Sequence, residues 1–166
     1  MGGDDAVIVA LGSNLPAGFA SSEALLEAAL KEFPQAGLPV LARSGWWRSA
    51  AWPDPSGNEY RIGVAIVEAN GPPEAVLEAL FAIERAFGRI RGAPNAPRTL
   101  DLDLIAYGRE LTDGPGLILP HPRAAERLFV MGPLAEIAPG WRHPLSGRTA
   151  AELAASASVG RDATRV

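Results

Sequence analysis

Two aspartates and a nearby arginine form the most chemically suggestive pattern in this sequence. Asp101 and Asp103 are separated by one leucine in the string Arg-Thr-Leu-Asp-Leu-Asp-Leu, which begins at Arg98. On a β-strand, side chains two residues apart point the same way and lie roughly 7 Å from each other. Two carboxylates so placed are suited to hold a hard divalent cation such as Mg²⁺, and the arginine to bind an accompanying phosphate.

The same pattern has a simpler explanation, because an alternating strand often exposes charged side chains to solvent. Aspartate is a poor strand former, however, and lysine or threonine would solvate an edge strand at lower cost. Whether the two aspartates form a metal site or a solvent-exposed strand face therefore has to be judged from the surrounding residues.

Further cationic residues surround this strand in the sequence. Arg89 and Arg91 precede Arg98 in a loop containing glycine and proline, and His121 and Arg127 follow the strand. One arginine side chain can donate hydrogen bonds to two phosphate oxygens at once. The combination of several arginines with the two aspartates therefore favours a phosphate–metal site. The alternatives are a surface network of Arg–Asp ion pairs and, for His121, a structural histidine.

Several aromatic side chains lie in or beside predicted loops, where two of them can sandwich a flat heterocycle. They are Trp46, Trp47, Trp52, Tyr60 and Phe129. Most of these side chains are expected to belong to the core or to an interface.

Composition limits the class of protein. The 166 residues, 48% of them hydrophobic, predict one domain over residues 1–166 with a proper core. The absence of cysteine excludes disulfides and thiol chemistry, and a net charge of -4 argues against nucleic acid as a partner. The sequence shows neither an apolar run near the roughly 18 residues of a membrane span nor a secretory signal, so we expect a cytoplasmic protein without a membrane partner. Lys31 is the only lysine, and a phosphate-binding P-loop is therefore excluded.

Hydrophobic periodicity predicts the element order β-α-β-β-α-β, followed by a C-terminal extension. The predicted strands are 7–11, 40–49, 61–69 and the strand of the two aspartates, and the predicted helices follow Ser21 and Pro72. This order is typical of ferredoxin-like α+β folds, with an antiparallel sheet and helices on one side. In the extension we expect a short strand and turn at 117–122, helical turns over 123–137, a last helix at 149–155, and fraying from residue 157.

Together these motifs resemble the 6-hydroxymethyl-7,8-dihydropterin pyrophosphokinase family. The resemblance rests on Leu11-Gly12-Ser13-Asn14-Leu15, Arg89-x-Arg91, Pro97-Arg98-Thr99-Leu100-Asp101-Leu102-Asp103 and Pro120-His121-Pro122-Arg123-x-x-x-Arg127-x-Phe129. It covers about residues 6–145. It implies that the hydroxymethyl oxygen of a pterin attacks the β-phosphorus of ATP and that AMP leaves. The implied partners are these two small molecules. We expect the protein to be a monomer or weak homodimer.

The resemblance also implies roles for individual residues. Asp101 and Asp103 match the ligands of two Mg²⁺ ions. The positions that match catalytic arginines are Arg89, Arg91 and Arg98. The positions assigned to the nucleotide and its phosphates are Arg89, Arg98, Ile105, His121 and Arg127. The positions assigned to the pterin are Ser49, Trp52, Tyr60, Ile62 and Phe129, with Tyr60 and Phe129 stacking on the ring.

One position departs from the family's pattern. Ile62 stands where the family usually has an asparagine whose amide bonds to the pterin edge. An apolar side chain facing that edge costs about 1–3 kcal/mol for each polar group left unsatisfied. Asn58 or Arg61 could replace the lost bond. The alternative to a pterin kinase is therefore a nucleotide-binding homologue with lost or altered pterin acceptor specificity.

Overall fold

The architecture comes from a computed structural model that describes residues 3–14, 18–50, 59–88 and 100–166. Within these ranges the strands are β1 (Val7–Ser13), β2 (Val40–Arg43), β3 (Trp47–Ser49), β4 (Tyr60–Val67), β5 (Asp101–Tyr107), β6 (Thr112–Gly114), β7 (Leu117–Leu119) and β8 (Thr164–Arg165). The helices are α1 (Ser22–Glu32), α2 (Pro73–Ala86), α3 (Leu128–Ile137) and α4 (Ala150–Ser156), and a 3-10 turn covers Ala124–Glu126.

The main sheet has the strand order β5-β1-β4-β3-β8, and β2 also pairs with β4. All of these pairings are antiparallel. The connection through α1 and the connection through α2 each skip a neighbouring strand, which is the ferredoxin-like α+β arrangement that the sequence predicts. The strands β6 and β7 form a separate hairpin.

Each face of the sheet carries its own apolar layer. Along β1, Val7, Val9 and Leu11 pack beneath α1 and α2, whereas Ile8 and Ala10 pack beneath α3 and α4. This division follows from the two-residue period of a strand. The helices of the βαββαβ core lie on one side, as expected, and the C-terminal extension covers the opposite face with two more.

Helices α1 and α4 begin at residues whose side chains cap a backbone N–H group, and α2 begins at a proline, which has no N–H to satisfy. Ser21 Oγ accepts a hydrogen bond from the backbone N of Ala24 at 3.0 Å, and Pro73 occupies the first position of α2. Thr149 and Glu152 form a reciprocal capping box at the start of α4. In the described ranges, every helix falls short of the length and apolar character that a bilayer-crossing segment requires.

The predicted strand over residues 40–49 is two strands, β2 and β3. Between them the backbone N of Ser44 still donates to the carbonyl oxygen of Val64 at 2.9 Å, but the backbone N of Val64 donates to the Ser44 hydroxyl, also at 2.9 Å, so a side chain replaces one bond of the ladder. The Trp46 ring lies against Gly63, where a Cβ atom would come within 2.5 Å of it. The break therefore reflects long-range packing of an indole against a neighbouring strand, which local periodicity does not report.

The fraying predicted from residue 157 is wrong for the structure. Thr164 and Arg165 form β8 beside β3, and Ala157 and Ala163 are buried. The Nε atom of Arg165 lies 2.8 Å from a carboxylate oxygen of Glu136 on α3. Backbone pairing and polar contacts to distant residues hold the segment in place. Its sequence lacks an apolar run from which an ordered structure could have been predicted.

Candidate active site

The strand β5 places the two aspartates on the face of the sheet that α3 covers. Leu102 and Leu104 belong to the layer beneath α1 and α2, so Asp101 and Asp103, which alternate with them, face the opposite side. In the register, Asp103 lies opposite Ala10, which belongs to the layer beneath α3. The predicted pairing of the two carboxylates on one strand face is therefore present.

A side-chain-free position separates Asp101 from Ile62. Gly12 pairs with Asp101 on one side and with Ile62 on the other. Among the residues that the structure describes, a Cβ atom at Gly12 would meet the side chain of Ile62 and the backbone oxygen of Arg61, both at 3.7 Å, which is ordinary van der Waals contact. Two strand spacings put the backbones of Asp101 and Ile62 about 10 Å apart. This row adjoins the apolar layer of Ala10 and Val64 beneath α3.

Three of the predicted pterin residues lie in one patch at the same face. Ser49 is directly opposite Tyr60 in the β3–β4 pair, and Trp47 is opposite Ile62. Directly opposed residues share a face, as do residues two apart on one strand. Ser49, Tyr60 and Ile62 therefore share the face of Asp101, with Ser49 and Ile62 buried and Tyr60 partly buried.

Phe129 and Arg127 approach this face from the start of α3. The Phe129 ring packs against the apolar layer beneath α3, and the guanidinium carbon of Arg127 lies 5.6 Å from the ring centroid. The backbone of Gly160 lies against the same ring, so that a Cβ atom there would overlap it. The second predicted stacking residue thus belongs to the helix that covers the aspartate face.

A cleft of about 370 Å³ opens along the outer edge of β5. Its apolar walls come from α2, from β5 and from the β6–β7 hairpin: Leu77, Phe81, Leu102, Leu104, Leu117 and Ile118. Asp103 and His121 also line it, so the cleft meets the aspartate face at the sheet edge. A cleft that combines apolar side chains with Asp103 and His121 suits a flat ring that carries a charged group.

His121 is held so that one ring nitrogen can donate to a ligand. Its backbone N donates to the carbonyl oxygen of Ile105 at 2.8 Å, and its Nδ1 accepts from the backbone N of Arg123 at 3.2 Å. The neutral ring therefore carries its proton on Nε2. Burial lowers the pKa of His121 and the charges of Arg127 and Arg123 lower it further, while Asp101 opposes them.

Ile105 is connected to the site through its backbone. Its side chain is buried in the layer beneath α3, and its carbonyl accepts the hydrogen bond from His121. The residue that lines the cleft is Leu104, one position earlier. Contact of Ile105 with the nucleotide stays a prediction. Arg89, Arg91, Arg98 and Trp52 lie outside the described residues, and their roles also stay predictions.

Glu84 is a supporting residue that the sequence analysis misses. It lies on the buried side of α2, 2% exposed, and its Oε2 accepts a hydrogen bond from the backbone N of Leu102 at 2.8 Å. Leu102 is the residue between Asp101 and Asp103, so this bond ties α2 to the centre of the aspartate strand. The sequence feature that could have indicated this role is a glutamate on the apolar face of the predicted helix, four residues after Leu80.

The sequence model of the family described as 7,8-dihydro-6-hydroxymethylpterin-pyrophosphokinase (HPPK) matches residues 8–139, which include every predicted site residue. The 2-amino-4-hydroxy-6-hydroxymethyldihydropteridine pyrophosphokinase of Pseudomonas aeruginosa is 40% identical over 153 residues, covering 90% of each chain. A Synechocystis protein with the same name is 45% identical over 118 residues, which are 71% of this chain and 60% of that protein.

The fold is similar to that of a solved structure with a longer chain. The HPPK-DHPS of Plasmodium falciparum, crystallised with pteroate, aligns with a TM-score of 0.69 at 11% identity, over 90% of this chain and 42% of that one. This chain thus spans less than two thirds of the Synechocystis relative and less than half of the Plasmodium protein. Because the family's sequence model matches most of its length, the chain belongs to the 7,8-dihydro-6-hydroxymethylpterin-pyrophosphokinase family.

Proposed function

We propose that the protein transfers a pyrophosphoryl group from ATP to the hydroxymethyl group of 6-hydroxymethyl-7,8-dihydropterin in folate biosynthesis, releasing AMP. The observation that carries the proposal is the row in which Gly12 separates Asp101 from Ile62, with Ser49 and Tyr60 on the same face. The carboxylate pair and the proposed pocket for a flat acceptor then lie on either side of one residue without a side chain. Membership of the family supports the same reaction.

The nucleotide occupies the cleft beside β5. Leu77, Phe81 and Ile118 offer apolar surface to the base, and Asp103 and His121 mark the polar side towards which the triphosphate extends. The Nε2–H of His121 donates to a phosphate oxygen, and the positive charge of Arg127 favours an anion nearby. Arg98 and the loop arginines are proposed to bind the same phosphates.

The two aspartates fit Mg²⁺ by their chemistry. In the described ranges, no group of three or more histidine, aspartate and glutamate side chains is placed to hold a metal. Proteins commonly bind Mg²⁺ through one or two carboxylates together with substrate phosphates, and Asp101 and Asp103 supply the two. Bound there, Mg²⁺ would withdraw negative charge from the phosphate oxygens during an in-line displacement.

The pterin lies between Tyr60 and Phe129, next to Ser49 and Ile62. Stacking between two aromatic rings fixes the plane of a flat heterocycle, so its hydroxymethyl group can be directed towards Gly12. Ile62 adds apolar contact where an amide would bond to the pterin edge. Family membership gives no support to the alternative of a nucleotide-binding homologue with lost or altered pterin acceptor specificity. We therefore treat Ile62 as a variation within the pterin patch.

Other properties stay predictions. We propose a single pyrophosphokinase domain over residues 1–166, a cytoplasmic location, and a monomer or weak homodimer. We also propose that neither nucleic acid nor a membrane is a partner, in keeping with the net charge of -4.

Calorimetric titration of 6-hydroxymethyl-7,8-dihydropterin tests the proposed function. The titration is made with Mg²⁺ and a non-hydrolysable ATP analogue present, because the nucleotide is expected to complete the pterin site. We expect micromolar or tighter binding, about -8 kcal/mol, and release of AMP when ATP replaces the analogue. Binding of the analogue without binding of the pterin would instead indicate a different acceptor.

Replacing Ile62 with asparagine is expected to tighten pterin binding about tenfold, since one recovered hydrogen bond to a buried group contributes about 1–3 kcal/mol. The same change is expected to lower the melting temperature without ligand, because Ile62 is only 7% exposed. The matched control is Ile62→Val, which keeps the position apolar and should leave pterin affinity unchanged. Weaker or unaltered binding in Ile62→Asn would place residue 62 outside the pterin contact.

A further inference from the structure

The segment 158–166 bonds to the chain immediately before Phe129. The backbone N atoms of residues 158 and 159 donate to the carbonyl oxygen of Glu126 at 3.1 and 2.9 Å, and the N of Leu128 donates back to the oxygen of Val159 at 2.9 Å. These bonds lie on either side of Arg127, whose backbone also forms an isolated parallel β-bridge with Val159. The start of α3 is therefore paired with this segment rather than left as an independent helix end.

The next residue of the segment limits where the Phe129 ring can lie. Gly160 has a φ of +69°, a left-handed conformation that glycine adopts at low cost. Its backbone is so close to Phe129 that a Cβ atom would overlap the Cδ2 and Cε2 positions of the ring. One side of the proposed stacking residue is thus set by the backbone of Gly160.

The same segment then reaches the opposite wall of the pterin patch. Asp162 Oδ2 accepts a hydrogen bond from the backbone N of Ala50 at 2.6 Å, directly after Ser49. Two residues later the chain enters β8 and pairs with β3, where Thr164 lies opposite Arg48. Both walls of the patch, the start of α3 and the end of β3, are therefore held by nine consecutive residues of one segment, 158–166.

A charged cluster fixes the end of the segment. The Glu136 carboxylate accepts hydrogen bonds from the backbone N of Gly45 at 2.7 Å, from Trp47 Nε1 at 3.0 Å and from Arg165 Nε at 2.8 Å. Burial opposes ionisation of this group, but the three bonds hold the pKa of Glu136 below its usual value. The carboxylate therefore joins α3, β3 and β8 at one point.

We infer that residues 158–166 position the pterin pocket, with Gly160 and Asp162 as positioning residues for Phe129 and for Ser49–Ala50. The inference rests on the proposed function, since it concerns the pocket for the acceptor. Stacking depends on the separation and tilt of the rings, and holding both walls before binding reduces the ordering that the ligand must otherwise impose. The segment lies beyond residues 8–139, which the family's sequence model matches.

The first test replaces Gly160 with alanine and titrates both ligands. We expect pterin affinity in the presence of Mg²⁺ and the ATP analogue to fall about tenfold, and affinity for the analogue alone to stay unchanged, because the change displaces the ring and not the cleft. The matched control is Gly147→Ala. Gly147 has a nearly equal φ of +70° but no neighbour within 4 Å of an added Cβ, so it reproduces the backbone strain without the contact.

The second test uses Asp162, which is exposed and can be changed without opening a cavity. Asp162→Ala removes the acceptor for Ala50 N and should weaken pterin binding about threefold, whereas Asp162→Asn keeps an oxygen there and should restore most of the affinity. Hydrogen exchange is measured in parallel over residues 47–50 and 126–131. Exchange should quicken at 126–131 in Gly160→Ala and at 47–50 in Asp162→Ala, but in neither range for Gly147→Ala.

These measurements separate the inference from the function on which it rests. If the unaltered protein does not bind pterin, the proposed function fails, and the exchange data alone decide whether the segment positions Phe129 and Ala50. If the unaltered protein binds pterin and both variants bind it equally well with unchanged exchange, the positioning role is refuted. An equal loss of analogue and pterin binding would also refute it, because that result indicates general destabilisation.

Discussion

Replacing Asp103 with alanine is expected to lower kcat by about three orders of magnitude, because groups that stabilise transition-state charge in a phosphoryl transfer supply most of the catalysis. Asp103 lines the cleft in which the nucleotide is proposed to bind, and it shares a strand face with Asp101 and the proposed pterin patch, so it joins the two halves of the proposed site. Without its carboxylate, the proposed Mg²⁺ site loses one of its two protein ligands. The phosphates would then enter the reaction with their charge poorly neutralised.

The measurement is steady-state AMP release at saturating ATP and pterin over a range of Mg²⁺ concentrations. Asp101→Ala should behave in the same way, and Asp103→Asn should recover little activity, because an amide is a weaker ligand for Mg²⁺ than a carboxylate. Asp5→Ala is the control, since Asp5 is exposed and lies at the start of the chain. The β5 side chains at 102 and 104 remain in their apolar layer, so the melting temperature should change by only a few degrees, about what 1 kcal/mol produces.

A rate within tenfold of the unaltered protein for both Asp101→Ala and Asp103→Ala would refute the metal assignment. The pair would then be the solvated strand face that the alternating pattern also permits. A large loss that excess Mg²⁺ fully restores would retain the assignment and show that the remaining carboxylate is sufficient at high metal concentration.

The part of the site that the sequence predicts is the part fixed by strand geometry. Leu102 and Leu104 alternate with Asp101 and Asp103, and a period of two residues is enough to put the carboxylates together on one face. The antiparallel order that brings Gly12 and Ile62 beside them follows from the βαββαβ pattern. Both inferences depend on local periodicity and on a short list of permitted topologies.

What the sequence does not predict depends on contacts between distant residues. The register of β1 and β5 shifts between Ile8 and Val9, and Leu104 rather than Ile105 lines the cleft. Whether residues 40–49 form one strand or two depends on how Trp46 packs on Gly63. The segment after residue 157 is ordered by backbone bonds and by Arg165, for which the chain carries no periodic signal.

Replacing Glu84 with alanine is expected to lower the free energy of unfolding by about 2–4 kcal/mol, through a buried N–H left without its acceptor and a cavity beside it. Glu84 Oε2 accepts from Leu102 N at 2.8 Å, and the side chain is almost fully buried. That N–H points to α2, and β5 is the outermost of the described strands in its sheet, so none of these strands can take over the bond. The expected result is measured by urea unfolding.

The same variant should also lower kcat about a hundredfold, since a displacement of about 1 Å in groups that position the reaction has an effect of that size. The bond anchors the residue between Asp101 and Asp103, so its loss shifts both carboxylates relative to the cleft. Glu84→Gln keeps an acceptor oxygen and should retain more of both stability and activity than Glu84→Ala. Glu78→Ala, on the exposed side of the same helix, controls for the loss of a glutamate from α2.

The comparison of these variants distinguishes support of the strand from support of the helix. If Glu84→Ala loses stability but its kcat equals that of the unaltered protein, the bond stabilises α2 without positioning the aspartates. If both quantities stay unchanged, the hydrogen bond to Leu102 has no measurable role. Joint loss in Glu84→Ala with recovery in Glu84→Gln would show that the backbone of β5 is positioned by a side chain from a helix, at the sheet edge where the nucleotide is proposed to bind.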